Sequence, residues 1–306
     1  MSANVAIAAR SISRSYGSFK AVDNLNFEVY GGEIFAMLGP NGAGKSTTIR
    51  MILDILKPDS GSIEVLGGPL TDATKDRIGY LPEERGLYRN VKVLDMMIYL
   101  GTLKGMSSAA ARQRSLEFLR MLDLADNAHS KVSELSKGMQ QKVQFAVTVL
   151  HEPDLIIVDE PFSGLDPVNT RVIQDLLLDF KARGGAIVMS THQMQQIEEL
   201  ADRLLMIDHG RRQLYGSVAD VRKQYALPAV IVEGEGDWSK LSSVERVENV
   251  ENGREGTLLY LRAGVTPDQV LAAIAADPDL RIHRFELAVP SLNDIFIQVV
   301  SGARNE

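Results

Sequence analysis

Gly39-Pro40-Asn41-Gly42-Ala43-Gly44-Lys45-Ser46 has the residue types and spacing to hold a chain of phosphates. The pattern is G-x-x-x-x-G-K-S, in which glycines let the backbone turn its N–H groups inward around an anion. Lys45 is expected to reach the β- and γ-phosphates, and the Ser46 hydroxyl to ligate Mg²⁺. Thr47 follows as the first residue of an expected helix, whose positive end faces the same anion. Alone, such a stretch could be a glycine-rich turn with a surface lysine. Its flanks argue otherwise: Ile34-Phe35-Ala36-Met37-Leu38 before it reads as a buried strand, and Ile49, Ile52, Leu53 and Leu56 after it recur with a helical period.

A second chemical pair lies downstream in Leu155-Ile156-Ile157-Val158-Asp159-Glu160. An apolar strand ending in two carboxylates places Asp159 to hold Mg²⁺, directly or through water. Glu160 is then the candidate to polarise an attacking water. Acidic pairs after strands also serve as helix caps, but here a phosphate loop precedes the pair and Pro161 follows it. The stretch Leu135-Ser136-Lys137-Gly138-Met139-Gln140 opens another helix with a serine and a glycine. Backbone N–H groups and a hydroxyl at that point make an anion site, or within one chain a plain cap.

With that third stretch the sequence resembles the ATP-binding subunits of ABC transporters, whose signature LSGGQ it varies at Lys137 and Met139. The resemblance covers roughly residues 3–222 and implies an ABC-type P-loop ATPase: an α/β protein with a mixed sheet core and a helical subdomain. It implies ATP and Mg²⁺ as cofactors, and a head-to-tail dimer in which Ser136, Lys137, Gly138 and Met139 meet the γ-phosphate held by the opposite copy. Tyr16 resembles the aromatic that stacks on adenine; a core tyrosine is the other reading. Ser163-Gly164-Leu165-Asp166 resembles the loop that crosses the dimer interface. His192, after Ser190-Thr191 at a strand end, resembles the histidine that contacts the γ-phosphate and orients the water. Glu83 in Tyr80-Leu81-Pro82-Glu83 stands where the family usually has glutamine. That leaves its coupling role to a membrane partner expected and its metal role open. Together with the ending Pro290-Ser291-Leu292-Asn293-Asp294-Ile295-Phe296, these variants look like the sodium-efflux and multidrug-type ATPases, which serve a separately encoded permease. A cytoplasmic position on the inner membrane face, through the permease, follows from the resemblance.

Strands alternating with helices around these motifs imply a largely parallel sheet. Val5–Ser13, Phe19–Tyr30, Ile63–Leu66, Ile78–Leu81, Leu155–Val158, Ala186–Ser190 and Leu204–Asp208 read as strands. Pro58-Asp59-Ser60-Gly61 reads as a turn. Residues from about 91 to 150 take a helical period and read as an insertion, and Val168–Arg183 reads as a long amphipathic helix. Composition shifts near Tyr225-Ala226-Leu227-Pro228, so domains of 1–225 and 226–306 are expected, the second a small α+β unit. Its strands are expected at Ala229–Val232, Val244–Val250, Leu258–Leu261 and Ile282–Leu287. Glu251-Asn252-Gly253-Arg254 reads as a hairpin connection, and Val270–Ala276 and Leu292–Val300 as helices. Dimer contact, regulation and docking all remain open for this tail.

The 306 residues suffice for such a pair of domains, and their 45% apolar and 24% charged content is that of ordinary globular proteins. A net charge of −7 argues against nucleic acid as a partner. The chain has no cysteine, which excludes disulfides and thiolate metal sites. No apolar run reaches the roughly 18–20 residues of a membrane span, and Met1–Arg10 lacks a signal-peptide pattern. A transport ATPase is the first expectation and a soluble ABC-type ATPase without a transport role is the alternative. Soluble relatives acting on ribosomes usually carry two ATPase modules, and chromosome-maintenance relatives split theirs with a coiled coil; neither feature occurs here. A non-catalytic nucleotide-binding module is disfavoured because Lys45, Asp159, Glu160 and His192 are all present.

Overall fold

A computed structural model describes residues 4–84, 86–243, 246–253 and 256–302. The chain divides into two compact units, Met1–Val218 and Ala219–Glu306. The division falls ahead of the composition shift near Tyr225 because the helix before that shift belongs with the second unit, where Arg222 Nε donates to Pro290 O.

In the first unit the apolar runs become the centre of a six-stranded sheet. β1 (Val5–Tyr16) and β2 (Phe19–Tyr30) form a hairpin, followed by β3 (Ile34–Leu38), α1 (Lys45–Ile52), β4 (Ser60–Val65), α2 (Asp72–Lys75) and β5 (Ile78–Leu81). The helical insertion then supplies α3 (Val93–Leu103), α4 (Ser108–Met121) and α5 (Lys137–Val149). Finally come β6 (Leu155–Asp159), α6 (Pro167–Ala182), β7 (Ala186–Ser190), α7 (Met194–Leu200), β8 (Arg203–Asp208) and β9 (Arg211–Ser217). The sheet order is β5-β6-β7-β3-β8-β9, parallel except for the β8–β9 pair. β3, β6 and β7 are buried at every residue, as expected of strands covered on both faces. One face packs on α1 and a three-stranded antiparallel sheet, β2-β1-β4, with Phe27, Ile49, Ile52 and Val65 in that core. The other face packs on α5 and α6 through Phe145, Val149, Ile173 and Leu177. The insertion has its own core around Leu94, Met97, Leu119, Val132 and Val143. Among the described residues no helix is long and apolar enough to cross a membrane.

Local chemistry sets the helix starts. Ser107, Ser136 and Asp166 each cap a helix through a side-chain oxygen that accepts from a backbone N–H of the first turn, and Pro167 takes the first helical position after Asp166. α1 stops at Ile52, short of the apolar period, because Asp54 turns into the left-handed region at φ 59°. Leu53 and Leu56 still pack beside the core, from irregular backbone. The expected turn at Ser60-Gly61 is strand instead. Gly61, at φ 83°, brings β4 so close to β1 that a Cβ would lie 2.4 Å from Arg10 O and from Ser11 O.

The second unit contains α8 (Val218–Gln224), β10 (Ala229–Glu235), β11 (Val247–Gly253), β12 (Gly256–Leu261), α9 (Pro267–Ala275), β13 (Arg281–Leu287) and α10 (Leu292–Gly302). Its antiparallel sheet runs β11-β12-β10-β13, a split βαβ order in which a 3₁₀ segment at Trp238–Ser243 takes the place of the first crossover helix. Val230, Val232, Trp238, Leu259, Val270 and Ile274 form its core. Glu251 and Asn252, expected in a hairpin connection, are instead in β11, paired with Leu258 and Thr257. Val244 and Arg254, which the sequence reading placed in a strand and in that connection, lie outside the described residues.

One histidine of the first unit reports on this packing. His151 follows α5 with Nε2 3.3 Å from Ile78 O, while Nδ1 is buried with no hydrogen-bond partner. Burial, and then the Lys104 ammonium, push its pKa from 6.5 down to about 4, against smaller opposing effects of the Ile78 bond and Asp76. The ring is therefore neutral in the fold, and the unfolded chain binds a proton there that the folded chain does not. This stabilisation is complete above the unfolded value of 6.5 and is lost as pH falls towards 4. A shift of this size corresponds to at most about 3 kcal/mol, less for a ring that is partly exposed. In His151→Gln the fall in urea midpoint from about pH 7.5 to about pH 5 should be smaller than in wild type; equal falls would dissociate His151 from acid sensitivity.

Candidate active site

The C-terminal ends of β3, β5, β6 and β7 gather the chemically able residues. After β3 the backbone turns through Gly39 at φ 150°, where a Cβ would lie 2.0 Å from Ile207 O. Gly44 turns at φ 114° with Ala21 O of β2 at 2.3 Å from a would-be Cβ. Both positions need glycine for conformation and for space. Ala43 N donates within the loop to Pro40 O at 3.1 Å, whereas the N–H groups of Gly42 and Gly44 have no protein acceptor among the described residues. Gly42 and Asn41 are exposed, Pro40 half-buried and Ala43 buried, so the loop presents its backbone outward from a fixed base. Lys45 Nζ donates to Gly39 O at 2.7 Å and Pro40 O at 3.1 Å. Ser46 is exposed at the first turn of α1 and Thr47 is half-buried beside it. This cradle of N–H groups, a lysine and a helix N-terminus fits a triphosphate.

Asp159 ends β6 and is 8% exposed. Ser190 Oγ, from the end of β7, donates to Asp159 Oδ1. Burial raises the Asp159 pKa, with the Ser190 bond pulling it back and the neighbouring Glu160 raising it. Burial lowers that of Lys45, while Glu160, Asp159 and Glu83 oppose the change. A lysine surrounded by three carboxylates suits an added cation balanced by phosphates. Among the described residues no three His, Asp or Glu side chains gather as a metal cage. The oxygen set of Ser46 and Asp159 instead fits Mg²⁺, which usually keeps waters and takes few protein ligands beside phosphate oxygens.

Glu160 adopts φ 49° and is held by four contacts from Ser190 at the end of β7 and from Thr191 and His192 just beyond it. Its N donates to Ser190 O at 2.9 Å, Thr191 Oγ1 to its Oε2 at 3.2 Å, and His192 N to its Oε1 at 3.0 Å; His192 Nδ1 meets the same Oε1 at 2.7 Å. The Glu160 side chain is one-tenth exposed and that of His192 two-thirds exposed. Glu83 lies just past β5 and is exposed. A cleft of about 560 Å³ runs from Glu83 and Glu160 past Ser163 to Lys137 and Gln141 at the start of α5. Tyr16 ends β1 at 45% exposure, with the Arg14 guanidinium 5.5 Å from its ring centroid, so it is no core tyrosine.

The remaining expected residues lie on the other side of that cleft or at its rim. Ser136 Oγ caps α5 by accepting from Met139 N at 3.2 Å, Lys137 is exposed, and Gly138 is buried. Among the described residues no hydrogen bond or ion pair joins Ser136–Met139 to the phosphate loop. Ser163 and Gly164 are exposed, Leu165 is half-buried, and Asp166 caps α6 through Asn169. The sequence reading gave no role to Ser190 or Thr191, although both stand between a buried strand and His192. The signal was there: two hydroxyls at the end of an apolar run that leads to the site.

Loss of the Ser190 bond should raise the Asp159 pKa further, because the bond favours the ionised carboxylate. The ionised form, the one able to hold a cation, then fills at higher pH. Ser190→Ala should shift the acid limb of hydrolysis upward in pH and raise the Mg²⁺ needed for half-maximal rate roughly tenfold. Superimposable Mg²⁺ titrations of wild type and variant would exclude Ser190 from control of the metal carboxylate.

Comparison with known proteins agrees with this geometry. Residues 22–163 match the ABC transporter family, and residues 216–300 match the C-terminal domain of ATP-binding protein DrrA1-3-like. The uncharacterized ABC transporter ATP-binding protein YhaQ of Bacillus subtilis is 38% identical over 95% of this chain and 97% of its own length. The Nod factor export ATP-binding protein I of Rhizobium sp. (strain N33) is 34% identical over 96% of this chain and 97% of its own. A solved structure described as the ATP binding subunit of an ABC transporter aligns with a TM-score of 0.66 at 33% identity, covering 72% of this chain and 92% of that one. The chain therefore belongs to the ATP-binding proteins of ABC transporters and is an ATPase.

Proposed function

We propose that this chain powers an exporter: two copies close head to tail on two ATP–Mg²⁺, and closure drives a separately encoded membrane permease. The observation that carries the reading is the division of the site. Lys45, Asp159, Glu160 and His192 converge, while Ser136–Met139 sits across the cleft with no bond to the phosphate loop. A second copy would supply that anion-binding helix start to each γ-phosphate. Bound Mg²⁺, held by Ser46 and Asp159, would polarise the phosphate oxygens. Lys45 would balance phosphate charge, and Tyr16 would stack on the adenine. Glu160, fixed by Thr191 and His192, would take the proton of the attacking water, and His192 would touch the γ-phosphate. The first unit works as the ATPase and the second as an accessory domain. The export direction is supported by the relatives whose printed names are of export ATP-binding proteins.

A face for the permease adjoins the Glu83 loop. Tyr88 and Tyr99 are 52% and 50% exposed with ring centroids 6.1 Å apart, and Leu103 on the same helix as Tyr99 is 60% exposed. Aromatic rings exposed together favour a protein partner over solvent. Docking there would hold the chain on the cytoplasmic side of the membrane and carry movement of the Glu83 loop to the permease.

Glu160→Gln should lower turnover by at least about a hundredfold and accumulate an ATP-bound dimer on a sizing column. Near-normal hydrolysis would move the base elsewhere, and a monomer at every ATP concentration, with permease present, would overturn the dimer. Glu83→Ala should raise the Mg²⁺ needed for half-maximal activity, leave metal-free nucleotide binding unchanged, and weaken stimulation by the permease. A Mg²⁺ titration identical to wild type would remove Glu83 from the metal shell.

A further inference from the structure

Helix α5 begins at the signature residues and carries a buried polar stripe. Gln141, Gln144 and Thr148 are each 5–6% exposed, and their spacing puts them on one helical face. Buried amides are costly unless bonded, so their partners are informative. Gln141 Nε2 donates to the carbonyl of Pro161, the residue after Glu160, at 3.1 Å. Gln144 Nε2 lies 3.5 Å from Pro82 O and 3.5 Å from Glu84 O, the carbonyls on either side of Glu83. Thr148 Oγ1 donates within the helix to Gln144 O at 2.9 Å and lies 3.5 Å from Tyr80 O of β5. One turn earlier, Gly138 approaches α6 so closely that a Cβ would lie 2.6 Å from Asn169 Nδ2. Asn169 in turn bonds Asp166 through its backbone N at 2.9 Å and its side chain at 2.5 Å.

One helix thus touches the residues flanking Glu83 and the residue after Glu160, and meets Asn169, which bonds back to Asp166. Gln144 is the uneven member. Its donor sits at the outer limit of hydrogen bonding, and its Oε1 is buried without a partner. A buried acceptor lacking a donor favours any movement of residues 82–84 that supplies one.

We propose that Gln141 and Gln144 are positioning residues that make α5 a lever, so that docking of its signature end on a second copy's nucleotide resets this chain's own Glu83 and Glu160. The proposal rests on the dimer reading above. The lever lets each nucleotide site sense closure of the other.

Gln144→Met removes the orphaned acceptor while keeping an unbranched side chain of similar length. It should raise the melting temperature of the nucleotide-free full-length chain and yet lower kcat, a pairing that a merely structural residue would not give. Gln141→Met should lower kcat roughly tenfold or more, the order expected for a sub-ångström displacement of a catalytic group. ATP affinity at subunit concentrations too low for dimers should change less than about twofold, and ATPase cooperativity should disappear. Unchanged kcat and cooperativity in both variants, or losses of ATP affinity and stability equal to those of kcat, would overturn the lever. Hydrogen exchange of Glu160→Gln with saturating ATP and Mg²⁺ covers the case of a variant that does not fold. Peptides spanning 80–84 and 161–166 should change protection only at concentrations where dimer forms. A full change already in the ATP-bound monomer, or a dimer with no change, would remove this inference alone. Absence of any dimer would remove the reading beneath it and the lever together.

Discussion

A carboxylate at the end of a dry strand is the constraint on which the first unit turns. Every residue of β6 is buried, so Asp159 leaves the sheet into a region of little water, where ionisation is disfavoured. The sheet order supplies the remedy. β7 lies between β6 and β3, so the end of β7 stands between Asp159 and the loop after β3. Ser190 donates to Asp159 from there, and Lys45 approaches from the loop after β3. Lys45 is itself desolvated and depends on the same carboxylates. Neither charge is satisfactory alone, and the phosphate and cation proposed above would complete the pair. The loop depends on glycine for its course, because a Cβ at Gly39 or Gly44 would collide with Ile207 O of β8 or Ala21 O of β2.

Much of this was legible in the sequence, and the gaps have physical causes. The all-apolar runs at β3, β6 and β7 are unambiguous because burial on both faces admits little else. The phosphate loop, the carboxylate pair and the signature stretch are local motifs, so their spacing survives in one dimension. β9 was missed because Arg211–Ser217 is half-exposed and polar at the antiparallel edge, with no apolar period to announce it. Ser190, Thr191, Gln141 and Gln144 were given no role for a different reason. Their partners lie on other strands and loops, and nothing in the spacing of a chain encodes a contact across a sheet. Glutamines on an amphipathic helix read as a solvated face until the fold shows them buried.

The second unit shows how a small fold tolerates a missing element. Its sheet keeps the split βαβ order, but the first crossover is a 3₁₀ segment rather than a helix. Trp238 opens that segment and is 9% exposed, so one large ring contributes apolar volume where a helix face is missing. On the strands, Glu233 pairs with Arg284, which also bonds Glu286. Such exposed pairs add little stability, which leaves the cohesion of this unit to Val230, Val232, Leu259 and the residues of α9 packed on them.

Glu160 is where local preference and function part. A glutamate in the left-handed region is unfavourable by roughly 1–2 kcal/mol, and glycine or asparagine would sit there more easily. Neither offers the carboxylate that the proposed general base requires. The strain persists because its surroundings over-determine the position. Its N–H is fixed by Ser190 O, one carboxylate oxygen by Thr191 and the other by His192. The consecutive residues Ser190-Thr191-His192 therefore hold both carboxylates, the buried Asp159 and the strained Glu160. Because Ser190 bonds Asp159 through its hydroxyl and Glu160 through its carbonyl, a shift of this one residue would disturb both carboxylates together. In the proposed mechanism the metal position and the base position are thereby coupled through the end of a neighbouring strand.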